Sequence, residues 1–61
     1  MQKPKYSAGM IITFRNNGRT YQGRILYVIA GDDGYEYRVQ FESGEETLSE
    51  AEIDKFGEVE R

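Results

Sequence analysis

The stretch Tyr35-Glu36-Tyr37-Arg38-Val39-Gln40-Phe41-Glu42 decides the fold of this 61-residue chain. Tyr35, Tyr37, Val39 and Phe41 share one parity, and Glu36, Arg38, Gln40 and Glu42 share the other. A period of two puts alternate side chains on opposite faces of an extended backbone, so the stretch reads as a strand with one buried face. Gly31-Asp32-Asp33-Gly34 before it and Ser43-Gly44 after it are turn compositions. Further upstream, residues 21–30 are apolar on both parities through Ile25, Leu26, Tyr27, Val28 and Ile29. That pattern suits a bent strand shared between two sheets, with Gly23 at the bend or at a close backbone approach. Asn16-Asn17-Gly18 holds an Asn-Gly pair, which supplies the two positive φ values of a type I′ hairpin, and residues 10–14 read as the strand before it.

Downstream, residues 45–48 read as a weaker strand. Ser49-Glu50-Ala51-Glu52 has the spacing of a capping box and predicts a single helical or 3₁₀ turn. Ile53 and Phe56 then read as a short closing strand or tail. The expected architecture is all-β: a small antiparallel barrel of four or five short strands with one helical or 3₁₀ turn near the C-terminus. Closure would remove the long unpaired edges that an open sheet of this size would expose. Residues 1–7 and 57–61 read as flexible ends around a barrel spanning 8–56.

Composition narrows the chemistry. The chain has no His and no Cys, which removes the commonest general base near neutral pH, the thiolate nucleophile, the disulfide and the zinc ribbon. No Ser–His pair or phosphate-cradling glycine loop is present, so no catalytic residue, metal or cofactor is expected. The longest apolar run, residues 25–30, falls far short of the roughly 20 residues a membrane span needs. No apolar signal core follows the basic first residues, so the expectation is a soluble, cytoplasmic chain without a membrane partner. Charge is divided unevenly: residues 1–30 carry +5 and no acid, and residues 31–61 carry −8. A barrel lays the two halves side by side, so cross-strand ion pairs are expected to cancel part of this split. What survives should form a rim of both signs around one barrel end.

The order of residues is more specific than their composition. Gly9 and Ile12, then Asn17-Gly18, Tyr21, Gly23, Ile25 and Val28, then Val39, Phe41-Glu42, Leu48 and Glu52-Ile53, resemble the Tudor domains of the royal superfamily. The pattern is most similar to the Tudor domain of polycomb-like PHD-finger proteins, over residues 9–53. The resemblance implies an SH3-like barrel with an aromatic cage at one end, which in the family holds a methylated lysine or arginine by cation–π attraction. Tyr21 and Phe41 stand at two cage positions. The family's tryptophan falls on Arg15 or Asn16, and its aromatic after the third turn falls near Thr47, so the cage here is half present. An arginine at the mouth repels a cation, and both rings could equally serve as core.

Three constellations remain. Five tyrosines supply amphipathic contact area, with Tyr37 read as core and Tyr35, beside the Asp-Gly turn, as a contact residue. Arg15, Arg19 and Arg24 could contact phosphates with Tyr21 as a stacking platform, although the whole chain is acidic. Tyr21-Gln22-Gly23-Arg24-Ile25 resembles a strand of plasmid type II dihydrofolate reductases, homo-oligomeric small-barrel enzymes. Their second signature has no counterpart near residues 45–48. The reading that follows is a small non-catalytic module binding a protein or peptide through Asn16, Tyr21, Tyr35, Phe41 and Ser43 at the barrel-end groove. Nucleic-acid binding through the three arginines ranks second and the enzyme third; the oligomeric state stays open.

Overall fold

The computed structural model of the chain describes residues 3–60. In order it forms β1 (Ile11–Asn16), β2 (Arg19–Gly31), β3 (Gly34–Phe41), β4 (Gly44–Ser49), α1 (Glu50–Phe56) and β5 (Gly57–Glu60). The strands make one antiparallel, barrel-like sheet in the order β4-β3-β2-β1-β5. Asn17 (φ 52°) and Gly18 (φ 76°) both take the left-handed conformation that a type I′ turn requires, with Asn16 facing Arg19 across them. Asp32-Asp33 and Glu42-Ser43 form two more two-residue connections, closed by the Gly31–Gly34 and Phe41–Gly44 pairs.

β2 is long because it serves two neighbours. Residues 19–24 pair with β1 and residues 23–31 with β3, and the register slips past Leu26 between Ile25 and Tyr27. Such a bulge bends the strand and explains why both parities are apolar. Gly23 lies at the overlap, opposite Ile12 on one side and Phe41 on the other. A Cβ there would come within 2.5 Å of Val39 Cγ1 and 2.8 Å of Phe41 Cε1, so the bend leaves no room for a side chain.

The core is Tyr6, Ile12, Ile25, Tyr37, Val39 and Ile53, flanked by Phe14, Phe41, Leu48, Val59 and other half-buried groups. Tyr37 and Val39 are fully buried, as the alternation of β3 predicts. The Tyr37 hydroxyl donates to Glu50 Oε2 (2.6 Å) and accepts the Tyr6 N–H (3.3 Å). Burial, and then the bond to Glu50, push this phenol up to about 12.

The structure departs from the sequence reading at three places. Residues 3–7 are a docked strap: Tyr6 is buried edge-on against Tyr37, with ring centroids 5.5 Å apart at 66°. The Tyr6 hydroxyl donates to Asp54, Lys5 Nζ to the other oxygen of that carboxylate at 2.9 Å, and the Lys5 N–H to Glu50 at 3.3 Å. A domain this small has little apolar surface to bury, so an aromatic near its end is recruited to the core. At the other end, residues 57–60 form β5 against β1, with Val59 opposite Ile12 and the alternate Glu58 and Glu60 exposed. Residues 1, 2 and 61 of the ends read as flexible lie outside the described residues.

The third departure lies at Ile53 and Phe56, which read in the sequence as a closing strand or tail and instead belong to the expected helix. The capping box forms as expected: the Glu52 N–H donates to Ser49 Oγ and the Ser49 N–H to Glu52 Oε1, each at 3.1 Å. Yet α1 runs on through Phe56, because helical spacing drives Ile53 into the core. Among the described residues no helix is long and apolar enough to cross a membrane.

Candidate functional site

The tips of the β1–β2 and β3–β4 hairpins bound an open groove of about 1160 Å³ at one end of the sheet. Arg15, Asn16 and Tyr21 line it from the first hairpin, and Phe41, Glu42, Ser43, Glu46 and Leu48 from the second. Phe14 and the helix-terminal Phe56 add two more rings to its lining. Phe41 packs against Phe14 with centroids 5.9 Å apart and planes at 53°, so these two rings join floor to core. Tyr21 is 46% exposed and Phe56 63% exposed, so neither ring is held by the core alone. Lys55 Nζ stands 5.4 Å from the Phe56 ring centroid, an exposed cation–π contact.

Four of the five expected contact residues therefore come together: Asn16, Tyr21, Phe41 and Ser43. Tyr35 does not join them. It is opposite Ala30 beside the β2–β3 turn, half-buried, where it lines a separate hollow of about 370 Å³ with Asp32, Asp33, Glu36 and Ser49. The parity that puts Tyr35 with Phe41 is right, but six residues of strand carry it to the opposite end, roughly 20 Å away. Despite the acids of that turn, no group of three potential metal ligands is close enough to hold an ion among the described residues.

The arginines do not form one stripe. On β2, Arg19 and Arg24 have opposite parity, and Arg15 is opposite Thr20 and lines the groove. None of the three makes an ion pair among the described residues, so the expected cross-strand cancellation does not involve them. Among the described residues the two ion pairs are Lys5–Asp54 and Arg38–Glu45. The groove carries both signs, with Arg15 on one hairpin and Glu42 and Glu46 on the other.

Phe14, Phe56, Glu46 and Leu48 were not expected as site residues. The alternation of β4 carries a signal for the last two, since Glu46 and Leu48 share a parity that faces inward opposite Val39 and Tyr37. Phe56 carries no such signal, because its segment reads in the sequence as a short closing strand or tail. No family model, curated protein or solved structure matches the chain.

Proposed function

We propose that the chain is a small non-catalytic, Tudor-like binding module that takes a segment of another protein, or a peptide, in the groove between its two hairpin tips. One observation carries this reading: the exposed rings of Tyr21 and Phe56 flank an open groove floored by Phe41 and Phe14. Rigid aromatic surface beside polar rim groups is the composition of a protein-contact site. Asn16 and Ser43 add hydrogen-bonding side chains, and Arg15, Glu42 and Glu46 add charges of both signs. The absence of His and Cys supports a role without catalysis. The Tudor-like order of residues fits the same groove, since two of its cage positions, Tyr21 and Phe41, line it. A methylated lysine is not the ligand proposed, because rings stand at only two of the cage positions, Tyr21 and Phe41, and Phe41 is packed against Phe14. A cytoplasmic setting goes with this reading.

Selection from a displayed library of random peptides against the immobilised chain tests the proposal. Tyr21→Ala with Phe56→Ala serves as the counter-selection. Peptides that bind the parent and not the double variant are expected. Enrichment of peptides that bind both equally would put the contact surface elsewhere. Oligonucleotides that bind with steep salt dependence, in the absence of any enriched peptide, would favour the arginines instead.

A further inference from the structure

Among the described residues β4 has one strand neighbour, β3, and its other edge is unpaired. In an antiparallel hairpin closed by the Phe41–Gly44 pair, hydrogen-bonded and non-hydrogen-bonded pairs alternate. The backbone groups of Gly44, Glu46 and Leu48 therefore turn toward β3, and those of Glu45 and Thr47 turn outward. The Ser49 N–H is already committed to Glu52. Edges of this kind are usually guarded by charged side chains that lie across them. Here the guards are drawn back over the sheet. Arg38 Nε donates to Glu45 Oε1 at 3.0 Å, and Arg38 Nη1 donates to Thr47 Oγ1 at 2.8 Å. The open edge also borders the groove, because Glu46 and Leu48, the alternate residues of the same strand, line it.

We propose that the ligand of this groove adds to β4 as an antiparallel strand, and that it carries a basic residue two positions from an apolar one. The inference rests on the groove reading above and names the ligand's form and charge. Glu46 and Leu48 are two residues apart on one face, a repeat of roughly 6.6 Å that any added strand reproduces. An apolar side chain then meets Leu48 and Phe56, and a basic one meets Glu46, which has no ion pair among the described residues. Glu42 adds a second carboxylate on the same side. A second copy of this chain is the wrong occupant, since pairing two β4 edges would bring Glu45 and Glu46 against their own kind.

The test uses a capped octapeptide that repeats lysine-threonine-isoleucine-threonine, which alternates lysine and isoleucine along one face. In antiparallel pairing the threonine amides point at Glu45 and Thr47, and the lysine and isoleucine amides point away. N-methylation of the threonine amides is expected to weaken binding at least tenfold. N-methylation of the lysine and isoleucine amides should change it less than twofold. Any other pattern across the two peptides overturns the edge pairing. Glu46→Gln, at an exposed position, should weaken the parent peptide several-fold, and an unchanged affinity overturns the charge assignment. If both methylated peptides still shift the amides of Tyr21 and Phe56 alike, the edge pairing fails and the groove reading stands. Shifts confined to another face, or none at millimolar peptide, remove both. Dimerisation of the free chain through β4 would also overturn it.

Discussion

Gly23 sits where two strand pairings share one residue, and the volume a methyl group needs there is already filled by Val39 and Phe41. Both obstacles are buried or half-buried and belong to the core wall, so neither can swing away as a surface side chain would. Gly23→Ala should cost about 1–3 kcal/mol of stability, the usual range for overpacking, read as a lowered urea midpoint with an unchanged slope. Tyr21 is the opposite case. Its ring is 46% exposed, so Tyr21→Ala should change stability by less than about 1 kcal/mol while weakening a groove-bound peptide tenfold or more. An equal loss of stability and binding would mean that the ring is structural.

At the scale of elements, α1 works as the clasp of the molecule. Its N-cap is closed by the reciprocal Ser49–Glu52 bonds, and Ser49→Ala should cost about 1 kcal/mol in thermal or urea unfolding. Its Glu50 and Asp54 hold the N-terminal strap through Lys5, Tyr6 and Tyr37. The Tyr6 hydroxyl and then Lys5 keep the Asp54 carboxyl below its usual range. Its contribution is thus present above the ordinary carboxylate range and is lost as pH falls through the folded value. Tyr37 behaves in the opposite sense on the alkaline side. Its phenol ionises near 10 when unfolded and at about 12 when folded, so stability falls as pH rises between those values. Lys5, raised by its bond to Asp54, loses its contribution in the same direction. Unfolding midpoints measured across pH should be flat between about 5 and 9 and fall on both sides. In Tyr37→Phe the alkaline fall should be shallower; an unchanged profile would show that this hydroxyl does not couple the strap to the helix.

For the whole molecule, the uneven charge of the sequence becomes a local feature. Lys5 is absorbed by Asp54, whereas Arg15 faces the same groove as Glu42 and Glu46. Much of this was legible beforehand, for physical reasons that differ by residue. The parity of Tyr37 and Val39, the Asn17-Gly18 turn, the bend at Gly23 and the cap at Ser49 are local properties, and each follows from its own few residues. Asn16, Tyr21, Phe41 and Ser43 could be grouped because hairpin tips at one end of a meander come together. What was not legible depends on contacts distant in sequence. Tyr6 joins the core because Tyr37 and Asp54 are there to receive it, and β5 is a strand because β1 has a free side. Phe56 reaches the groove only because α1 extends past a single turn, and strand length rather than parity sends Tyr35 to the far end. The contact surface proposed for this molecule is the groove between its two hairpin tips. The most direct measurement is an amide chemical-shift map of the ¹⁵N-labelled chain titrated with a library-selected peptide. The prediction is that shifts concentrate at Asn16, Tyr21, Phe41, Ser43 and Phe56 and disappear in the Tyr21→Ala, Phe56→Ala double variant. Shifts centred on Tyr27 or the β2–β3 turn, with those five amides unmoved, would contradict it.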